Sequence, residues 1–579
     1  MVSWHNKIEK ELLEHLKSGH VTPFAPAMGV PASERTIRAG VLRGLLTDPD
    51  VKRLHPPLVS LEGVIIEGRL SLNGLECEVN LFLVGCVFRE VLELSFAHLP
   101  RLVLAKSKLV GMEAAGVRID NGLDARFVEC AGTVRLSGAR IGGQTDFTGA
   151  RLVSAERSAL EADGFRADGD LLLRTELRTQ AARADSEFCA RAAEDAVRLI
   201  GAQISGDLDL IGARLEAERG PALTAERVRV GGSALFQAVK AASMLGDEPA
   251  ARDGVSVLVL KGAVISGELS LDKAKISSAQ AGALAADNIR VGGDAFLRNM
   301  RAIGSDPEGV VRLLGAHVEG SLKCHGGVMA SHSGNQCSLD LRFATLHKAL
   351  YLKPDFLRAG SADKVNLDGL KYAIDLPEAM DRREWIAFLR ARVPYAAQPY
   401  RQLADVYKAA GREEDARRVL IAQQDHLLAS GNDIPPFEKF RLRALKITVG
   451  YGYRMSRPLA GLALTTVAAI AMVVVSAATT DAVRLTPVYS NQVKASATAH
   501  PGGAGAQAAA ERCTLVDQVG LGIELSVPLI NTTTRVRCNI IASSKVEQLI
   551  VAAGWIFQVL GWMFAALFAA GVAKTIRED

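Results

Sequence analysis

The run Val197-Arg198-Leu199-Ile200-Gly201-Ala202-Gln203-Ile204-Ser205-Gly206-Asp207-Leu208-Asp209-Leu210 has a counterpart beginning at Val134 and another at Leu258. Each is followed by an Ala-Leu-x-Ala-acid run, at residues 159–163, 222–226 and 283–287. From Ala159 to Ala222 is 63 positions and from Ala222 to Ala283 is 61, the self-similarity of a solenoid. Within each copy, short alternating runs such as Leu208-Asp209-Leu210 are interrupted by Gly-Ala and Gly-Gly steps. Alternation sends every second side chain inward, and glycine permits corners.

Ile/Val positions 141, 204, 230, 265, 291 and 318 recur at intervals of 26 to 63, so each long repeat holds about two coils plus an excursion. The fold class is therefore a β-solenoid, a parallel β-helix of pentapeptide-like coils in residues 58–376, with its handedness open. Residues 1–57 read as an N-terminal helical cap. One coil cannot bury its inner face alone, so stacking supplies the core.

A chain of 579 residues with 49% hydrophobic but only 5% aromatic residues suits small-residue coils and lipid spans better than an aromatic-lined enzyme core. A net charge of +4 speaks against a nucleic-acid surface spread over the whole chain.

Residues 458–480 and 548–573 carry no charge and are each long enough to cross a bilayer. Lys439, Arg441, Arg443, Lys446, Arg454 and Arg457 precede the first span with no acid among them, whereas the twenty residues after it offer only Arg484 and Lys494. By the positive-inside rule the large N-terminal part is cytoplasmic. Lys574 and Arg577, in the tail 574–579, place the second terminus on the same side. The expected location is a bacterial inner membrane, multi-pass, with the lipid bilayer as one partner. The opening Met1-Val2-Ser3-Trp4-His5-Asn6-Lys7 leads into a charged helical pattern, so no cleaved signal peptide is expected.

Cys77, Cys86, Cys130, Cys189, Cys324 and Cys337 fall in the cytoplasmic part and read as small buried residues, since disulfides are rare there. Cys513 and Cys538, alone in the external loop 481–547, are positioned to close that loop by a disulfide.

Residues 377–435 change grammar. Tyr400, Leu403, Ala404, Tyr407, Gly411, Ala416 and Leu420 have the spacing of a tetratricopeptide-type helical hairpin, with a further helix over 381–389. A single copy reads as a cap on the last coil rather than a peptide-binding array. The basic segment 436–457 contains Thr448-Val449-Gly450-Tyr451-Gly452, the letters of a potassium-channel filter. A filter follows a pore helix between two spans, and this pentapeptide precedes both, so it reads as a juxtamembrane turn.

The external loop holds an amphipathic stretch, residues 515–530, too short to span. A re-entrant helix and an external subdomain folded over its disulfide account for it equally. Residues 501–506 are a Gly-rich linker. Gly554-Trp555 and Gly561-Trp562 lie seven apart on one helical face, permitting close packing against the first span or against another copy of the chain.

Cys324, His325, His332 and Cys337 are zinc-competent side chains, but their spacing fits no compact finger and a loop excursion explains them as well. Phosphate loops, dinucleotide fingerprints, nucleophile elbows and His-Glu-x-x-His pairs are absent from the sequence. Paired acids such as Asp207 and Asp209 read as a solvated repeat face. No catalytic or cofactor residue is assigned, and the cofactor is unknown.

Residues 201–210, residues 400–420 and Gly554-Trp555 together resemble a family of bacterial membrane proteins that join a pentapeptide-like β-helix to a helical hairpin and a two-span C-terminus. Members are often labelled membrane-associated oxidoreductase, and the resemblance implies that activity by label alone. The expected function is a membrane-anchored scaffold or sensor whose solenoid meets a cytoplasmic protein. The alternatives are an oligomeric two-span channel and the oxidoreductase of the label.

Overall fold

The computed structural model describes residues 7–18, 22–26, 31–53, 57–176, 187–244, 256–332, 336–357, 362–375, 380–430, 435–448, 456–479, 483–485, 513–527, 530, 534–540 and 544–578. They form two compact units, residues 1–419 and 420–579.

The first unit is a parallel β-solenoid. Its strands collect into sheets of 12, 11 and 22 members. The largest sheet contains two strands from most coils, so a typical coil has four sides. One such coil runs through Met112–Glu113, Arg118–Ile119, Leu123–Asp124 and Glu129–Cys130 before Val134–Arg135 stacks on its start. Most strands are only two residues long because one residue points in, one points out, and the next step is a corner.

The register explains the repeat. Leu160, Val197, Leu223, Leu258 and Leu284 occupy successive coils, so the coils are 37, 26, 35 and 26 residues long. A long and a short coil make each repeat of 63 or 61. The extra residues of the long coils fall at 177–186 and 245–255, outside the described residues. Ile141, Ala167, Ile204, Val230, Ile265, Val291 and Val318 are one continuous inward stack. All are at most 2% exposed, which makes the stack core throughout. Ala167 interrupts the Ile/Val pattern and produces the one interval of 63.

Corners need small residues for two reasons. A Cβ on Gly231 would lie 2.2 Å from the Ser205 carbonyl oxygen of the preceding coil, closer than any side chain tolerates. Gly116, at φ +64, lies against the ring of Phe96, itself at φ +58, one coil below; a Cβ there would stand 2.7 Å from that ring. Only glycine meets both demands.

The solenoid begins earlier than residue 58. Thr36–Arg38 pairs in parallel with Ile65–Glu67, because Ile37 continues an inward stack. Helices α1 (Lys7–Lys17), α2 (Ala39–Thr47) and α3 (Pro49–Lys52) surround this first strand. Glu9, fully buried on α1, is held by Arg38 at 2.7 Å.

At the other end α4 (Arg382–Arg392) and α5 (Ala397–Ala409) close the stack. The Gln398 and Gln402 amides donate to the carbonyls of Leu370 and Tyr372 at 2.8 and 2.7 Å, satisfying groups that a further coil would otherwise meet. Such coverage removes an exposed strand edge. Gly411, at φ +72, ends α5, and α6 (Glu413–Ser430) follows, so the segment holds a further helix and a helical hairpin.

In the second unit, α7 (Pro436–Thr448) occupies the first half of the basic segment as a helix. Thr448 is its last residue, and Val449, Gly450, Tyr451 and Gly452 of the filter-like pentapeptide lie outside the described residues, as do Pro528 and the Gly-rich 501–506. Helix α8 (Ser456–Thr479) and the Lys545–Ala570 part of the last helix have mean hydropathy 2.3 and 1.9 and are long and apolar enough to cross a membrane.

Candidate functional site

The outward residue of each Ile/Val rung forms its own column. Arg118, Arg140, Arg166, Gln203, Arg229, Val264, Arg290 and His317 stand in successive coils, each beside the inward residue that follows it in sequence. Arg118 pairs with Asp120 at 3.4 Å. Arg140, Arg166, Arg229 and Arg290 are exposed and, among the described residues, have no ion-pair or hydrogen-bond partner for their side chains. Coils stack about 4.8 Å apart, so these four cations span about 24 Å in a line. Two positions further along each rung stand Gly142, Ser205, Gly231, Ser266 and Gly292, leaving Asp168, on the Arg166 rung, as the one acid at that position between Arg140 and Arg290. Arginine presents a planar fork suited to carboxylate and phosphate.

Several other charges on the solenoid neutralise one another. Arg135 lies between Glu113 and Glu161 at 3.0 and 2.9 Å. Arg312, buried, is bonded by Asp287 and Glu308. A groove of about 690 Å³ is lined by Glu129, Arg151, Cys189, Arg191, Arg214 and Glu216, with Arg214 on Glu216 at 2.6 Å.

Asp207 and Asp209 are not a solvated pair. Asp209 is buried and accepts from Arg174 at 3.0 Å, while Asp207 accepts the Ser233 N–H of the next coil at 2.7 Å. Each carboxylate replaces water with a fixed donor, so both are parts of the coil framework.

The cysteine and histidine candidates do not converge. Cys324 is inward, and burial pushes its thiol strongly up. His325 stacks edge-on against Tyr351 at 5.0 Å. The His332 ring bonds the Ser278 carbonyl at 2.9 Å, and Cys337, raised to about 12 by burial, donates to the Leu339 carbonyl. Cys77, Cys86, Cys130, Cys324 and Cys337 are buried as expected, whereas Cys189 is half-buried at the groove. The structure instead brings together His317, Glu319 and His347, which sequence reading missed.

In the second unit Cys513 and Cys538 are joined by a disulfide. It fastens α9 (Leu515–Ser526) to a short ribbon in which Val483–Leu485 pairs antiparallel with Cys538–Ile540. From there α9 runs along the middle of both apolar helices. A Cβ on Gly522 would lie 2.6 Å from the Ile470 Cα, and one on Gly561 of α11 (Lys545–Glu578, following α10, Thr534–Arg537) 1.8 Å from the Ser526 oxygen. Ile470 lies nine residues from the end of α8, about 14 Å along it. Glu524, 8% exposed near the tip of α9, accepts the Thr534 and Arg535 N–H groups at 3.1 and 3.2 Å and so ties down the returning chain.

No family model, curated protein or solved structure matches the chain.

Proposed function

We propose that the protein is a membrane-anchored scaffold whose solenoid docks an acidic protein partner along the arginine column. The observation that carries this reading is the line of four exposed arginines in register, none with a side-chain partner among the described residues. Keeping like charges about 5 to 10 Å apart on a rigid sheet costs repulsion, which an anionic partner relieves. Helix α8 and the apolar part of α11 serve as two spans of a bacterial inner membrane, with the basic 436–457 segment and both termini in the cytoplasm. The disulfide fits an external, oxidising side for residues 481–547. Arginine transfers no electrons, so the oxidoreductase activity implied by the resemblance gains nothing from this site.

The test uses the full chain in nanodiscs and a fluorescent poly-glutamate peptide. Changing Arg140, Arg166, Arg229 and Arg290 together to Gln should weaken binding at least tenfold and flatten its salt dependence. Binding unchanged by those substitutions, or a single-stranded oligonucleotide preferred over the peptide at equal charge, overturns the reading.

One observation favours a second reading, the two-span channel. Helix α9 lies against mid-helix positions of both spans, a span, dip, span plan that would place a helix tip near the bilayer centre. Recording the protein in planar bilayers separates the two, because a conductance altered by Glu524→Gln supports a pore, and silence at all voltages removes it.

A further inference from the structure

We propose that His317, Glu319 and His347 form a binding site for one divalent transition-metal ion of the zinc class, independent of the docking reading. The register builds it. Val318 pairs with Leu346 in adjacent parallel rungs, which sets His317 beside Thr345 and carries Glu319 alongside His347 one step further. All three side chains are exposed and flank the buried Val318 and Leu346, so their Cβ atoms are fixed by the core.

The side chains already lean together. The Nδ1 of His347 lies 3.5 Å from a Glu319 oxygen, and the two imidazoles meet edge to face at 5.1 Å. One ligand atom from each of the three lies within 4.8 Å of the others. In a tetrahedral site with bonds of about 2.0–2.2 Å, neighbouring donors stand about 3.4 Å apart. The His347–Glu319 separation meets this, and the remaining closure of about 1.4 Å is within reach of side-chain rotation at an exposed position.

The donor set selects the ion. Two imidazoles and one carboxylate, with no thiolate, suit Zn²⁺, Co²⁺ or Ni²⁺ better than the all-oxygen ions Mg²⁺ and Ca²⁺ or the soft Cu⁺. Three protein ligands leave a position for water or for a group from outside. Arg290, one rung from His317, repels a dication and should hold the affinity down.

The full chain, freed of any affinity tag, is titrated with Co²⁺ and then Zn²⁺, following the cobalt visible bands and the heat of binding. One equivalent of Co²⁺ with tetrahedral-type bands, displaced by Zn²⁺, is expected. His347→Ala and His317→Ala should each remove that equivalent, Glu319→Gln should weaken it at least tenfold, and Arg290→Gln should tighten it. His325→Ala, one residue past the neighbouring strand Leu322–Cys324 and facing Tyr351, should leave it intact. Because the three ligands are exposed, metal-free melting should match wild type, which separates loss of ligand from loss of fold. One equivalent that survives the double change His317→Ala/His347→Ala, or no binding at any metal concentration tested, overturns the proposal.

Discussion

The Asp207 carboxylate accepts the backbone N–H of Ser233, one coil further along, at 2.7 Å. The same corner repeats the device, with Asp170 receiving the N–H of Asp207 and Asp294 that of Ser321, each at 2.8 Å. Close approach of consecutive coils at Gly-rich corners leaves these N–H groups without a carbonyl in line, and a short acid from the coil below supplies the acceptor. Asp207→Ala should therefore lower stability by about 1–3 kcal/mol, the usual cost of orphaning a buried donor, whereas Asp207→Asn keeps an acceptor oxygen and should cost less. Thermal melts of the two variants check the order.

Asp294 gives this corner a pH dependence. Burial alone would push its carboxyl up, but the Ser321 N–H and Lys323 at 3.2 Å outweigh that and hold it below the ordinary carboxylate value. A lowered folded value means stabilisation that is fully present above the unfolded carboxylate range and lost as pH falls from there through the lower folded value. Asp294→Asn should melt with a shallower decline than wild type from about pH 5 downward. Parallel curves for the two proteins would show that the charge contributes nothing.

The inward stack allows a graded test. Ile204 and Ile265 are each 2% exposed. Ile265→Val should cost about 1 kcal/mol, while Ile265→Asp places an unpaired charge in an apolar column and should cost several. Equal melting of Ile265→Asp and wild type would remove the inward assignment.

The stack was readable in sequence because Ile and Val kept their place relative to the Gly corners. Its one gap came from Ala167, too small to register in an apolar pattern. The early strand at Thr36–Arg38 was hidden among helical residues, since three residues carry no periodicity. Both outward features were present in the letters but out of phase. The arginine column consists of the residues immediately before the inward ones, and aligning coils on Val318 and Leu346 sets Glu319 beside His347. Coils of 20 to 37 residues defeat a fixed period, so only the hydrogen-bonded register brings those side chains to one place. Asp209 was misread for a related reason. Alternation marks it as outward, but the Arg174 side chain and the neighbouring coils cover it.

The disulfide closes a segment of 25 positions between Cys513 and Cys538. Loop-closure entropy for that length corresponds to about 3 kcal/mol. Cys513→Ser/Cys538→Ser should lower the melting temperature of the full chain in detergent, and reductant should lower wild type alike while leaving the double variant unchanged. A reductant effect on the double variant would point to another thiol.

Gly522 and Gly561 stand where any Cβ would meet backbone, at the Ile470 Cα and the Ser526 oxygen. Either glycine changed to Leu should expel α9 from between the helices, because a rigid backbone on the far side cannot yield. Trp555 and Trp562, both largely exposed on α11, face away from this contact and should tolerate Phe. Cysteines placed at Leu521 and, as a reference, at Arg484 read the outcome with a membrane-impermeant thiol reagent in a background lacking other reactive thiols. In wild type only the Arg484→Cys site should label from outside, and Gly522→Leu should open the Leu521→Cys site as well. Rapid labelling of Leu521→Cys without the glycine change would place α9 in water and refute its insertion between the spans.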